Sequence, residues 1–154
     1  MSIYDISVRG LVEFVLRHGD ITPGSGAESP EKAQKGARLH RKLQSSFKAE
    51  DAEYITERSV RYTVCAGDGE FVVSGRADGI RVYDGLLRVD EIKTTERDVH
   101  GIEEPELLHL AQGRCYGAIL SSQLPNIENV EVNVVYCNTE SMELKVHRYR
   151  ETAS

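Results

Sequence analysis

The dipeptide Asp84-Gly85 places a tight hairpin in the middle of this chain. Apolar-rich segments flank it on both sides, and Asp-Gly in that setting is a strong signal for a two-residue β-turn. Counting outward from the turn by equal numbers of residues on each strand sets Asp78 opposite Glu91. Two carboxylates that face each other directly destabilise a sheet. We therefore expect this pair to hold a cation.

Lys93 joins the same surface. Side chains alternate along a strand, so Glu91 and Lys93 share a face, and the hairpin presents two carboxylates and one ammonium together. The alternative is an exposed sheet face on which a Glu–Lys ion pair contributes almost nothing to stability. Spacing alone leaves both interpretations open.

The rest of the chain alternates helical and strand patterns. A helix is predicted after the N-cap Ser7 and ends near Gly19, and a second runs from Pro30 to about Phe47 after the N-cap Ser29. Between them, residues 19–29 are rich in Gly and Ser and predict a mobile loop. The remaining predicted elements are strands at 54–65, 70–80 and 86–95, a helix at 105–122, and strands at 130–137 and 143–149. The order α, α, β, β, β, α, β, β predicts an α/β fold with a mixed central β-sheet flanked by α-helices.

Composition narrows the class of protein. The chain has 154 residues, enough for one domain with a core, and 40% of them are hydrophobic. A net charge of −6 argues against a surface that wraps nucleic acid nonspecifically, but it allows a local positive strip. There is no apolar run long enough to span a bilayer and no signal-peptide pattern at the start.

The cysteines favour a reducing compartment. Cys65, Cys115 and Cys137 are odd in number and widely spaced, which fits free thiols better than a disulfide framework. They also lack the Cys-x-x-Cys spacing of zinc and iron–sulfur sites. We therefore expect a cytoplasmic protein without an iron–sulfur cluster.

His40 is a further candidate on the apolar face of the second helix. It lies one turn after Gly36, which would let the helix approach the sheet and bring the imidazole toward the carboxylates. Neutral imidazole is a competent ligand for transition metals. The alternative is an ordinary core histidine with satisfied hydrogen bonds.

Four other residues have both a structural and a functional interpretation. Gln112 and Tyr116, at i and i+4 of the third helix, either form a buried pair or face the site. Glu57 is an ordinary strand glutamate, with a role in the site as the lesser alternative. The basic outer face of the second helix, which includes Arg38, is a solvated surface or a contact for phosphates.

Taken together, four segments resemble the motifs of the PD-(D/E)xK nuclease superfamily, in its RecB-like branch. Each resembles one family motif, and they occur in the family's order. The segments are Gly36–His40 for the helical Gly-x-x-x-His, Gly75–Asp78 for the first carboxylate, Glu91–Lys93 for (D/E)-x-K, and Gln112–Tyr116 for the trailing Gln-x-x-x-Tyr. The proline of the family name is missing before Asp78, as is common in this branch.

This resemblance implies a restriction-endonuclease-like fold and Mg²⁺- or Mn²⁺-dependent hydrolysis of phosphodiester bonds in DNA. The expected activity is that of an exonuclease in repair or recombination, acting on single strands or duplex ends. The implied catalytic residues are Asp78, Glu91 and Lys93, the metal ligands are His40, Asp78, Glu91 and the backbone carbonyl of Ile92, and the substrate-binding residues are Arg38, Gln112 and Tyr116. Lys93 would orient the attacking water and offset developing negative charge.

The segment Ser7–Phe14 resembles the start of nuclease-like domains fused in front of XPD/Rad3-type DNA helicases. Residues 1–154 would then form a single nuclease-like domain, which either stands alone or is the front part of a larger helicase-fused protein. A helicase is accordingly an expected partner. The alternative function is a catalytically weak module that kept the nuclease fold to bind DNA or to dock onto a helicase.

Overall fold

The computed structural model describes residues 2–17 and 29–153. It has an α/β fold in which a six-stranded mixed sheet is flanked by helices, so the predicted fold class is confirmed. The elements are β1 (Ser2–Ser7), α1 (Val8–Val15), α2 (Pro30–Glu50), β2 (Ile55–Ala66), β3 (Gly69–Tyr83), β4 (Leu86–Thr95), a short 3-10 helix (Val99–Gly101), α3 (Leu107–Gln123), β5 (Asn129–Asn138) and β6 (Leu144–Thr152).

The first strand, β1, is missing from the sequence prediction. It is a short edge strand whose side chains are almost all exposed, so it lacks the alternation that marks a half-buried strand. It pairs in parallel with the first half of β3. This pairing joins segments that are far apart in the sequence, so no local pattern predicts it. Helix α1 ends at Val15, about one turn before the predicted end near Gly19. The predicted loop at 19–29 lies outside the described residues, apart from Ser29.

Both predicted N-caps are confirmed. The Ser7 hydroxyl accepts a hydrogen bond from the Gly10 amide at 2.9 Å, and the Ser29 hydroxyl accepts one from the Lys32 amide at 3.3 Å. Helix α2 continues to Glu50, about one turn beyond the predicted end. Helix α3 starts at Leu107, slightly later than predicted.

The central hairpin forms as the sequence predicts. Asp84 has φ of 48° and Gly85 has φ of 79°, and left-handed values at both positions define the type I′ turn that Asp-Gly favours. The resulting β3–β4 ladder is antiparallel and contains the pair Gly79–Asp90, which is the predicted register.

Helices cover both faces of the sheet. Helices α1 and α3 pack on one face over the main core, and α2 packs on the other over a smaller cluster with Leu39, Leu43 and Ile92. In α3, a Cβ at Gly113 would lie 2.6 Å from Cγ1 of Val132, so the missing side chain lets this helix lie directly against β5. In the same helix, Leu108, Ala111 and Cys115 are only partly buried where they pack against the main core, whereas Ile119 is buried. The buried face also carries Gln112, Gly113, Tyr116 and Gly117.

Candidate metal and catalytic site

The candidate site lies at a gap along one edge of β3. Strand β1 pairs with residues 69–74 of β3 and β4 pairs with residues 79–83, while β2 occupies the opposite edge along both stretches. Residues 75–78 are therefore left between the two neighbours. Asp78 fills the gap, because its Oδ2 accepts a hydrogen bond from the Ile92 amide at 2.7 Å. The expected direct pairing of Asp78 with Glu91 is not formed, since the β3–β4 ladder ends one residue earlier, at Gly79–Asp90.

His40, Glu57 and Asp78 converge at this gap. Their potential ligand atoms all lie within 4.8 Å of one another, and His40 Nε2 is 3.2 Å from Asp78 Oδ1. The hydrogen bond to Asp78 raises the pKa of His40, although burial opposes it. All three side chains line an open pocket of about 490 Å³, together with Lys93.

Close packing of α2 brings His40 to this position. A Cβ at Gly36 would lie 2.8 Å from Oγ1 of Thr94, so only glycine allows this approach without a shift. The predicted role of Gly36 as the contact point between α2 and the sheet is confirmed. His40 follows one turn later, on the side of the helix that lines the pocket.

Glu57 reaches the group through an unusual backbone conformation. It has φ of 52° within β2, and it lies across from Asp78, between the pairs Thr56–Gly79 and Arg58–Ala77. A non-glycine residue in this region is strained, and such strain is concentrated at functional sites. The spacing of the sequence favoured an ordinary strand glutamate, and only the register of β2 on β3 reveals its place beside Asp78.

Gln44 holds the two carboxylate residues in place and was missed by the sequence analysis. Its Nε2 donates to Glu57 Oε1 at 3.0 Å and to the backbone carbonyl of Asp78 at 2.9 Å. The side chain is buried, with 5% of its surface exposed. Its position four residues after His40, on the same side of α2, is the one sequence signal that points to it.

Glu91 and Lys93 share a face, as predicted, and their charged atoms lie 3.1 Å apart. Glu91 is only 4% exposed, and its Oε2 has no hydrogen-bond partner among the described residues. Burial and the nearby charge of Asp78 raise the pKa of Glu91 to about 7. Glu91 is outside the group of three convergent ligand atoms, although it is coupled electrostatically to Asp78 and His40.

Helix α3 closes the site from the other face of the sheet. Tyr116 is buried, and a Cβ at Gly75 would lie 2.9 Å from its hydroxyl, so the tyrosine packs at the gap in β3. Burial, with Glu91 and Asp78 nearby, raises the pKa of Tyr116 to about 12. Gln112 is equally buried, and its Oε1 has no partner within 2–17 and 29–153.

The predicted phosphate contact Arg38 is exposed on α2 and does not line the pocket. Arg41, nearly one turn further on, does. Ile92 lines the pocket as well, while its amide is bound to Asp78. The roles of Arg38 and of the Ile92 carbonyl stay predictions.

His109 is a second group that the sequence analysis missed. Its Nδ1 lies 2.8 Å from the Tyr136 hydroxyl and its Nε2 lies 3.1 Å from Glu106 Oε2. The Tyr136 hydroxyl oxygen accepts a hydrogen bond from the Glu106 amide, so the hydroxyl proton of Tyr136 can be donated to His109 Nδ1. This arrangement favours a neutral imidazole that carries its proton on Nε2. Burial, assisted by the positive charge of Lys93, lowers the pKa of His109 to about 4. The ring therefore stays uncharged near neutral pH.

A second cluster of metal-ligating types is formed by Asp98, His100 and Glu143. All three of these side chains are exposed, whereas at the gap Glu57 is exposed but His40 and Asp78 are half-buried. The three cysteines are free thiols in the structure. Over the described part of the chain, no helix has the length and apolar character needed to cross a membrane.

Comparisons with known proteins bear on the fold. No family model and no curated protein sequence matches this chain. Among solved structures, the chain is similar to the crystal structure of SSO0001, with a TM-score of 0.64 and 23% sequence identity. The match covers 97% of this chain and 67% of that chain. At this level of identity, the similarity shows a shared fold.

Proposed function

We propose that this chain is a divalent-metal-dependent nuclease that hydrolyses phosphodiester bonds in DNA. The observation that carries the proposal is the convergence of His40, Glu57 and Asp78 in one pocket lined also by Lys93. The four motifs that resemble the RecB-like nucleases include three of these residues. An exonuclease of DNA repair or recombination, acting in the cytoplasm on single strands or duplex ends, is the particular activity we infer.

The donor set of this pocket fits Mg²⁺ or Mn²⁺. Carboxylate oxygens suit both ions, and imidazole is tolerated by Mn²⁺. Glu57 and Asp78 are like charges set side by side, and Glu91 keeps one buried oxygen without a partner among the described residues, so a cation would relieve both features. His40, Asp78 and Glu57 would hold the ion, with Glu91 and the Ile92 carbonyl as the further predicted ligands. The ion would supply Lewis-acid stabilisation of the phosphate and an acidified water.

Lys93 is the group we assign to charge stabilisation. Lys93 is among the residues that line the pocket, and its ammonium is paired with Glu91 at 3.1 Å, which fixes its orientation. A fixed positive charge at this position would orient the attacking water and stabilise negative charge that develops on the phosphate. Gln112 and Tyr116 would support Glu91 from α3, and Arg38 and Arg41 would contact the DNA backbone.

The test is cleavage of end-labelled single- and double-stranded DNA with Mg²⁺, Mn²⁺ or EDTA. We expect metal-dependent cleavage that Lys93→Ala reduces at least about a hundredfold, because removing one such donor costs about 3 kcal/mol of barrier. Lys145→Ala is the matched control. Lys93 on β4 is paired with Tyr136 on β5, and Tyr136 is paired with Lys145 on β6, so Lys145 lies two strands away and does not line the pocket. A Lys93→Ala protein that cuts at the wild-type rate would refute this mechanism.

One observation favours the alternative of a catalytically weak module that binds DNA or docks onto a helicase. Glu91 is ion-paired with Lys93 and lies outside the group of three convergent ligand atoms. If this arrangement persists on the substrate, DNA binding would survive in EDTA while no metal restored cleavage. The same assay therefore separates the two functions.

A further inference from the structure

A second cavity of about 410 Å³ lies on the α2 side of the sheet, beyond the last turn of that helix. Its floor includes one cross-strand row, Asp90–Asn133–Arg148, and Phe47 and Val146 form parts of its wall. We name it the Asn133 pocket. Its lining is separate from that of the metal pocket, with which it shares no residue.

Two buried polar atoms in the Asn133 pocket have no hydrogen-bond partner within the described residues. Asn133 is 5% exposed, and its Nδ2 donates to Asp90 Oδ1 at 3.0 Å, which fixes the orientation of the amide. That orientation leaves Asn133 Oδ1 as a free acceptor, while Arg88 Nε makes no hydrogen bond and is only ion-paired with Asp90 Oδ1 at 3.6 Å. A buried polar group left unsatisfied costs about 1–3 kcal/mol, so this pair calls for a ligand with complementary groups.

A nucleobase meets these requirements. Its edge carries a hydrogen-bond donor beside an acceptor, and its ring can stack on the aromatic face of Phe47. The lining carries three carboxylates, and one of them, Asp51, is already ion-paired with Arg81 outside the pocket. The other two, Glu50 and Asp90, balance the guanidinium groups of Arg88 and Arg148, which favours an uncharged ring over a free anion. The exposed rim residue Arg148 is suited to contact the attached phosphate.

We propose that the Asn133 pocket binds a base of the DNA strand on which the metal pocket acts. This inference rests on the proposed function. Both pockets are lined by α2, and the rise of an α-helix separates His40 in the first from Phe47 in the second by about 10 Å along the axis. A strand that follows α2 from the metal pocket would therefore carry a neighbouring base to Asn133.

The test compares short single-stranded oligonucleotides with an abasic strand of equal length and charge, by fluorescence anisotropy in EDTA. The wild-type protein should bind the strands with bases about tenfold or more tightly than the abasic strand, the scale of one stacked base. Val146→Trp should remove this preference by filling the pocket. Leu144→Trp should keep it, because Leu144 lies on the same strand and face with similar exposure, 39% against 37%, but does not line the pocket. Val146→Phe replaces the tryptophan variant if that variant does not fold.

A second measurement separates a base within DNA from a free nucleoside. Free nucleosides at millimolar concentration should shift the side-chain amide resonance of Asn133 less than an oligonucleotide at the same concentration does. Equal affinity for the abasic strand, or a folded Val146 variant with the wild-type preference, would overturn the inference. Metal-dependent cleavage without base preference would refute this inference alone, and base preference without cleavage would refute the nuclease proposal alone.

Discussion

Replacing Glu91 by glutamine should make the metal-free protein more stable at neutral and alkaline pH. Glu91 is buried beside Asp78, and this environment raises its pKa from 4.5 to about 7. The folded state therefore binds the proton more tightly than the unfolded state does. Between these two pKa values the free energy of unfolding falls as pH rises. Above pH 7 the protein bears the full destabilisation that comes from a buried, ionised Glu91.

The size of this penalty follows from the shift. A difference of about 2.5 pH units corresponds to about 3 kcal/mol at 1.36 kcal/mol per unit. The attraction of Lys93 is already contained in that pKa, so Glu91→Gln should gain up to about 3 kcal/mol at pH 8 and almost nothing at pH 4. For a protein of this size, the melting temperature at pH 8 should rise by about 6–12 °C.

Urea denaturation in EDTA, at pH 4 and at pH 8, measures the effect. Glu131→Gln is the matched control, because Glu131 is a largely buried strand glutamate whose oxygens are already bound to Asn133 and Arg150. That control should lose a little stability and show no gain at pH 8. If Glu91→Gln is less stable than the wild type at pH 8, or if its effect does not depend on pH, the electrostatic account of the site is wrong.

Three further predictions follow from the same geometry. Millimolar Mn²⁺ should raise the melting temperature of the wild-type protein. Asp78→Asn should remove that increase, and Glu143→Gln in the exposed cluster should leave it intact. A wild-type melting temperature that Mn²⁺ leaves unchanged would exclude a preformed site. His40→Ala should weaken both Mn²⁺ affinity and cleavage, measured by calorimetry and by gel assay, and unchanged affinity would remove it from the ligand set. Gly113→Ala should destabilise the fold by about 1–3 kcal/mol, because the added Cβ would collide with Val132. At Gly101 an added Cβ would meet no atom within 4 Å, so Gly101→Ala should leave the free energy of unfolding, measured by urea denaturation, unchanged. Equal effects of the two substitutions would contradict close packing at Gly113.

The hairpin and the helix that carries His40 could be predicted because their signals are local. The Asp84-Gly85 turn fixes the β3–β4 register from two residues, and Ser29-Pro30 marks the start of α2 by capping chemistry. The close approach at Gly36 was predictable for the same reason, since a glycine on the inner face of a helix indicates tight packing. Each of these features is encoded within one turn or one helix.

The parts of the site that were missed depend on contacts between distant segments. Glu57 joins Asp78 only because β2 pairs with β3 in a particular register and adopts a left-handed conformation at that residue. The gap along β3 exists because β1, which the sequence does not mark as a strand, occupies the same edge as β4. The predicted pairing of Asp78 with Glu91 was wrong for this reason. The open edge of β3 lets the Asp78 carboxylate bind the Ile92 amide instead of facing Glu91.

Anomalous diffraction from a crystal soaked in Mn²⁺, with a short DNA strand present, shows directly whether His40 and Asp78 bind a divalent metal ion. We expect an anomalous peak within ligand distance of His40 Nε2 and an Asp78 carboxylate oxygen, about 2.0–2.3 Å away. Asp78→Asn should abolish this peak. A pocket without a peak in the presence of DNA, or a peak only at the exposed group of Asp98, His100 and Glu143, would contradict the assignment of this site.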